Sequence, residues 1–180
     1  MTRRAGAPRL YLGLDSSTQS LTAVVVEIGR GDPRVRIETS FAFDEALPQY
    51  GTSRGVLPRA DAAVAVSPPV MWAEALDLMM ARLAESGLDL GRLAALSGSA
   101  QQHGSVYLAR DAGARLAGLD AAHPLAPQVT PMLSRPVSPI WLDSSTAAEC
   151  AEITAAVGGA AALAARTGSR AFERFTGPQI

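Results

Sequence analysis

Lysine is missing from this sequence, and cysteine occurs only once, at Cys150. Without lysine, the chain cannot supply a lysine nucleophile or form a Schiff base. A single cysteine excludes an internal disulfide and a cysteine-rich zinc site. Charged residues make up only 18% of the 180 residues and the net charge is −1. Because no basic stripe is present to neutralise a phosphate backbone, the composition argues against a nucleic-acid partner.

Long apolar runs are missing too. A membrane-spanning helix needs about 20 consecutive apolar residues, and no segment approaches that length. The basic N-terminus leads into a short apolar stretch that ends at Asp15, too short and too soon charged for a secretory signal. The sequence therefore predicts a cytoplasmic protein without a membrane partner. Its length suits one domain.

Two familiar phosphate-binding motifs, Gly-x-x-x-x-Gly-Lys and Gly-x-Gly-x-x-Gly, are absent as well. The chain has instead a polar turn between two apolar strands, directly after the carboxylate of Asp15. Four hydroxyl side chains lie in five residues of this turn: Ser16, Ser17, Thr18 and Ser20. Hydroxyl and backbone N–H groups in such a turn can bind phosphate oxygens, while Asp15 can hold a hydrated Mg²⁺. A β-hairpin whose turn simply faces water is the alternative.

Apolar periodicity predicts an α/β domain. Three successive strands are expected at residues 9–15, 21–28 and 34–44, with Val35, Ile37, Phe41 and Phe43 on one face of the third. A helix capped by Ser67 is predicted next, ending near Gly87. It is followed by a short buried strand at residues 93–96, the continuation or partner of that strand at residues 105–108, and an irregular excursion at residues 111–139. Two further helices are predicted, one opened by a capping box at Thr146 and ending near Val157, and a short one at residues 160–166. A meander followed by helix, strand and helix is typical of the ribonuclease-H/actin type.

Amide and imidazole side chains follow the predicted strand at residues 93–96. Gln101, Gln102 and His103 could hydrogen-bond several neighbouring hydroxyls, which is what a sugar requires; a histidine satisfied by backbone groups is the simpler alternative. Trp141 could lie against the apolar face of a sugar ring, although core packing is the simpler use of an indole. Asp143 needs to do no more than cap the helix that follows.

Arginine and aromatic side chains alternate at residues 170–175. One of the two arginines could donate paired hydrogen bonds to a polar ligand. The alternative is a salt-bridged helix face with Phe172 and Phe175 buried.

Five segments, taken together and in this order, resemble the FGGY family of carbohydrate kinases, and within it the D-xylulose kinases. These segments are residues 13–19, 67–72, 96–107, 141–146 and 167–177. The resemblance implies transfer of the γ-phosphoryl group of ATP, with Mg²⁺, to the terminal hydroxyl of D-xylulose, giving D-xylulose 5-phosphate. It also implies a ribonuclease-H-like or actin-like fold, in which residues 1–180 form an incomplete N-terminal domain with a mixed sheet that opens with a β-meander.

The resemblance also implies roles for individual residues. The loop residues Asp15, Ser16, Ser17, Thr18 and Gln19 would face the β- and γ-phosphates, with Asp15 near the metal. The sugar would be bound by Gln102, His103 and Arg174. Because the family's aspartate base and ATP-binding domain lie beyond the matched segments, the chain is expected to be a fragment that is inactive alone. Two alternatives remain, namely a non-catalytic sugar-binding remnant and a kinase for another ketose or polyol.

Overall fold

The computed structural model describes residues 8–29 and 31–180. Its strands are β1 (Arg9–Ser16), β2 (Ser20–Ile28), β3 (Arg34–Ala42), β4 (Val66–Ser67), β5 (Leu93–Ala100) and β6 (Ser138–Pro139). The first three form an antiparallel meander, and β5 pairs with β1 in parallel, so the main sheet is mixed and has the order β3–β2–β1–β5. The predicted mixed sheet that opens with a meander is confirmed. β4 and β6 form a separate antiparallel pair.

The helices are α1 (Phe43–Ala46), α2 (Pro69–Glu85), α3 (Ala112–Ala117), α4 (Leu125–Val129), α5 (Ala147–Ala156), α6 (Ala160–Thr167) and α7 (Thr176–Gln179). α2 packs on one face of the meander and forms the main core with it. Its fully buried side chains, Met71, Ala75, Met79 and Leu83, recur every four residues, as one face of a helix requires. This core supports the sheet from the side opposite the cavity described below.

The third strand differs from its prediction. β3 ends at Ala42 and Phe43 begins α1, although Phe43 is buried as expected. The pairing of β2 with β3 contains a bulge, because Val25 pairs with Ile37 while Val26 pairs with Val35. The extra residue on β3 reverses which face of the sheet the preceding side chains of β3 lie on. As a result Val35 is 60% exposed, and the prediction that it shares a face with Ile37, Phe41 and Phe43 is wrong.

The start of α2 also differs from the prediction. Ser67 is not its N-cap, because it lies in β4 and its buried hydroxyl donates to the Gly55 carbonyl oxygen at 2.6 Å. Pro68 occupies the cap position instead, with Pro69 as the first helical residue, where a missing N–H costs nothing.

β5 is longer and more exposed than predicted. It continues from Leu93 to Ala100 and forms the edge of the sheet, so the expectation of a short buried strand is wrong. Residues 105–108, expected to continue this strand or to pair with it, do not form a strand. Within it, Leu108 makes only an isolated bridge to Leu133.

The excursion at residues 111–139 is partly helical, since it contains α3 and α4. The Asp77 carboxylate on α2 accepts the N–H groups of Leu125 and Ala126, at 2.9 and 3.0 Å, and so attaches α4 to α2. α5 begins after Thr146 as predicted, but the Thr146 hydroxyl donates to the Glu173 carbonyl oxygen instead of capping the helix.

Within the residues that the structure describes, no single helix is long and apolar enough to cross a membrane. Two successive helices, α5 and α6, reach that length and composition only together, and they are bent by 83° at their break.

Candidate functional site

The turn between β1 and β2 holds its own shape. The Ser17 hydroxyl oxygen accepts the N–H groups of Gln19 and Ser20, at 3.2 and 3.0 Å. The Ser17 N–H donates in turn to the Ser20 carbonyl oxygen at 2.9 Å. Three of the N–H groups in this turn are therefore used internally. The turn is built before any ligand arrives, and fewer of its groups are free for phosphate than the sequence suggests.

Asp15 lies at the end of β1, opposite Ser99 of β5, whose hydroxyl donates to the carboxylate at 2.6 Å. The carboxylate is exposed on the sheet face opposite α2. There it borders a shallow cavity of about 310 Å³. Small side chains line this cavity: Gly13, Thr22, Val24, Ser97 and Ser99. The space in front of Asp15 can therefore admit a ligand.

A magnesium ion at Asp15 would need most of its ligands from elsewhere. Among the described residues, no three histidine, cysteine or acidic side chains come together as a metal site. Mg²⁺ keeps several waters and is commonly held by one or two carboxylates together with substrate phosphates. One exposed carboxylate beside an open cavity fits that kind of site.

A second cavity, of about 550 Å³, lies on the other side of the turn. Its lining includes Thr18, Gln19, Arg54, Trp141 and Arg174. Trp141 is 40% exposed, so the expectation that it fills the core is wrong. The indole forms part of the cavity wall, and two guanidinium groups lie around the same space.

An aromatic contact joins the two segments that carry the predicted sugar-side residues His103 and Arg174. The His103 imidazole stacks on Phe175, with ring centroids 4.5 Å apart and planes inclined by 22°. Because Phe175 directly follows Arg174, this stack joins the two segments. The ring centroids of Phe172 and Phe175 are 4.9 Å apart. The guanidinium carbon of Arg170 lies over the Phe172 ring, 3.7 Å from its centroid.

The polar side chains of the His103 turn are exposed. His103 has a positive φ of 56° and is exposed, as is Gln102 before it. In the described part of the chain, no hydrogen bond to a backbone group satisfies the imidazole, which the simpler alternative required. Residues 170–175 do not form the alternative salt-bridged helix, since α7 begins only at Thr176. The predicted sugar-side residues are therefore available to a ligand.

Asp44 was missed by the sequence analysis, although it organises the connection that packs on the turn. Its carboxylate accepts the Thr52 hydroxyl at 2.6 Å, the Gly55 N–H at 3.0 Å and the Arg54 N–H. Desolvation raises the pKa of Asp44, but these hydrogen bonds outweigh it and hold the pKa below its ordinary value. An acidic residue just after an alternating strand and before a glycine-rich connection was the available signal.

Gly55 lies directly against the turn. A Cβ at this position would be 1.9 Å from the Thr18 carbonyl oxygen, and the residue has a φ of +76°. Only glycine fits both the close approach and the left-handed backbone. The connection and the turn are therefore packed as one unit.

Asp143 is buried rather than exposed beside Trp141. One carboxylate oxygen accepts the Ala65 N–H at 2.9 Å, and the other accepts the Ser145 N–H and hydroxyl, at 3.1 and 2.7 Å. The sequence suggested that Asp143 caps α5, but its carboxylate makes these other contacts instead. It joins two wall segments of the second cavity.

Comparison with known proteins gives a consistent result along the whole chain. The chain is 46% identical over 180 residues to the xylulose kinase of Mus musculus, covering 100% of the chain and 32% of that protein. It is 46% identical over 174 residues to xylulose kinase 2 of Arabidopsis thaliana, covering 95% of the chain and 30% of that protein. The D-xylulose kinase A of Aspergillus niger is 42% identical to the chain over 171 residues, and the match covers 95% of the chain and 30% of that protein. The chain is similar to xylulose kinases from end to end. It spans about a third of the length of these relatives.

No protein-family model matches the chain. Among solved structures, a gluconate kinase from Lactobacillus acidophilus is similar, with a TM-score of 0.59 and 18% identity. The match covers 91% of this chain and 25% of the gluconate kinase. At this identity the likeness concerns the fold, which is a mixed α/β fold found in part of a sugar kinase.

Proposed function

We propose that this chain is the N-terminal part of a D-xylulose kinase of the FGGY family, with a ribonuclease-H-like, actin-like fold. The identity of 42 to 46% to xylulose kinases along the whole chain carries this proposal. In the proposed reaction, the terminal hydroxyl oxygen of D-xylulose forms a bond to the γ-phosphorus of ATP. The bond to the ADP oxygen breaks, and the products are D-xylulose 5-phosphate and ADP.

The sugar is proposed to lie near His103, Gln102 and Arg174. Their imidazole, amide and guanidinium groups together can donate to and accept from vicinal hydroxyls. The stack of His103 on Phe175 supports this assignment, because it holds the imidazole against the residue that directly follows Arg174 before the sugar binds. Such preorganisation reduces the entropy that binding costs.

The phosphates are proposed to lie along the turn formed by Asp15, Ser16, Ser17, Thr18 and Gln19. Asp15 is the residue that would hold Mg²⁺, most simply through a metal-bound water, on the cavity face of the sheet. Magnesium, when bound, neutralises charge on the phosphates. The exposed carboxylate beside an open cavity supports this role.

The proton of the attacking hydroxyl needs a base, which the family resemblance places outside these residues. Asp143 is unsuitable, since both of its carboxylate oxygens already accept hydrogen bonds in a buried site. Phosphoryl transfer depends mainly on positioning and charge stabilisation, which require both walls of a cleft. We therefore assign to this chain one wall, with the sugar side and part of the phosphate side.

The test is an ADP-release assay on the protein expressed from its complete reading frame, with ATP, Mg²⁺ and a panel of D-xylulose, D-ribulose, glycerol and gluconate. The proposal predicts the highest kcat/KM for D-xylulose. A higher value for another member of the panel would favour a kinase for another ketose or polyol. Binding of D-xylulose without turnover, measured by calorimetry, would favour the sugar-binding remnant.

A further inference from the structure

Three of the segments that resemble the kinase family meet at one hydroxyl group, that of Thr18. The indole Nε1 of Trp141 lies 2.9 Å from Thr18 Oγ1. The same oxygen lies 3.1 Å from the amide oxygen Oε1 of Gln101. Trp141 and Gln101 are 123 and 83 residues from Thr18 in the sequence. The contact therefore connects the polar turn, the segment before His103 and the wall of the second cavity.

The chemistry of the three groups fixes the direction of both hydrogen bonds. An indole N–H can only donate, so Thr18 Oγ1 accepts from Trp141. The single proton of the Thr18 hydroxyl is then donated to the amide oxygen of Gln101, which cannot itself donate. The direction of the second bond follows from the placement of the Gln101 amide oxygen, and not the amide nitrogen, against Thr18.

Backbone contacts hold Thr18 and Gln101 in this arrangement. The Gln101 N–H donates to the Ser16 carbonyl oxygen at 2.9 Å, which extends the β1–β5 pairing by one residue. On the opposite side, Gly55 approaches the Thr18 carbonyl group so closely that no side chain fits between them. The polar turn is therefore held between the connection and the segment that leads to Gln102 and His103.

We propose that Thr18 acts as a positioning residue for the sugar side of the site, and that its hydroxyl is not a phosphate ligand. The proposal rests on the proposed function and changes the role that the family resemblance implies for this residue. A hydroxyl binds a phosphate oxygen by donating its proton, and the Thr18 proton is already donated to Gln101. The hydroxyl instead sets the positions of Gln101, which directly precedes Gln102 and His103, and of Trp141, which lines the cavity with Arg174.

The kinetic test compares Thr18→Val with Thr18→Ser in the protein expressed from its complete reading frame. Valine matches threonine in shape but cannot make either hydrogen bond, whereas serine retains both. We expect Thr18→Val to raise KM for D-xylulose about five- to tenfold, the loss typical of one or two partly exposed hydrogen bonds, with KM for ATP changed less than about twofold. Thr18→Ser should stay within about twofold of the wild type for both substrates.

The partner variant separates this network from a local effect at Thr18. Trp141→Phe removes the indole N–H and retains an aromatic ring. If the bonds act as one unit, the double variant Thr18→Val, Trp141→Phe should lose no more than about twofold beyond the worse single variant. Multiplied losses in the double variant would overturn the proposal, as would a Thr18→Val effect confined to KM for ATP.

A spectroscopic readout does not depend on turnover. The indole N–H resonance of Trp141, assigned from its disappearance in Trp141→Phe, should shift in Thr18→Val and remain in place in Thr18→Ser. An unshifted resonance in a folded Thr18→Val protein would overturn the proposal, even if activity falls. If the wild type phosphorylates no sugar but the resonance shifts, the proposed function fails while the hydrogen-bond network stands. Should Thr18→Val not fold, Trp141→Phe alone must still raise KM for D-xylulose, and an unchanged KM would overturn the proposal.

Discussion

Replacement of Gly55 by alanine tests how the connection packs on the polar turn. Gly55 has a φ of +76°, and a Cβ there would lie 1.9 Å from the Thr18 carbonyl oxygen and 2.9 Å from its carbonyl carbon. Both are backbone atoms, so no rotation of a side chain relieves the overlap. The 1.9 Å contact has to open beyond 3.0 Å, which requires the turn or the connection to move.

The expected loss has two parts. An alanine in the left-handed region costs about 1 to 2 kcal/mol. Forced displacement of well-packed groups adds about 1 to 3 kcal/mol. Gly51 provides a matched control in the same connection, because it has a φ of +64° and nothing within 4 Å of its would-be Cβ. Gly51→Ala should therefore show the backbone cost alone.

The assay is thermal unfolding of the wild type and both variants, followed by steady-state kinetics. Gly55→Ala should melt about 2 to 12 °C below Gly51→Ala, since its extra cost is about 1 to 3 kcal/mol and about 1 kcal/mol corresponds to roughly 2 to 4 °C in a folding unit of about 150 to 250 residues. Its KM values should rise because the turn is displaced, while those of Gly51→Ala should stay near the wild type. Equal melting temperatures for the two variants would refute the close packing of Gly55 on the turn.

Three further predictions concern single side chains. His103→Ala should raise KM for D-xylulose about tenfold and lower kcat, because a sugar ligand is lost; an equal rise in KM for ATP would count against the sugar role. Asp15→Ala should abolish Mg²⁺-dependent transfer in the same assay, yet calorimetry should show D-xylulose still binding; lost sugar binding would indicate a misfolded domain instead. Asp44→Asn should lower the melting temperature at neutral pH. Since the folded-state pKa of Asp44 lies below its ordinary value of 3.8, its stabilisation is present above about pH 4 and is lost as the pH falls through the folded-state pKa. The gap between wild type and variant should thus narrow in acid, and a gap that is constant with pH would contradict the role of the carboxylate.

Much of the fold could be predicted because its strands and main helix are strongly patterned. β1 and β2 are predicted within a residue at either end, because their apolar runs are bounded by a polar turn. α2 follows from its four-residue apolar repeat and the glycine after it. The exposure of β5 could not be predicted, since an apolar strand looks the same at a sheet edge as in its centre. The bulge in β3 has no local sequence signal either, and it reverses the side on which Val35 lies.

Candidate residues for the site could be proposed from the sequence, but the contacts between them could not. The hydroxyl-rich turn, the Gln102–His103 segment and Arg174 are visible as unusual polar groups near strand ends or among aromatics. The stack of His103 on Phe175 and the contact of Trp141 with Thr18 join residues far apart in the chain, which a linear pattern cannot show. The role of Asp44 could not be predicted, because it depends on the N–H groups of a loop whose path the sequence does not define.

The central proposal is that this chain contributes to phosphorylation of D-xylulose at its terminal hydroxyl. The most direct measurement identifies the product formed by the complete reading frame from D-xylulose and ATP, by phosphorus and proton NMR of the purified sugar phosphate. We expect a phosphate ester on the C5 oxygen, formed in equal amount to ADP and, at low D-xylulose concentration, formed at least about tenfold more slowly by His103→Ala. Phosphate on another oxygen, or ADP released with inorganic phosphate alone, would contradict it.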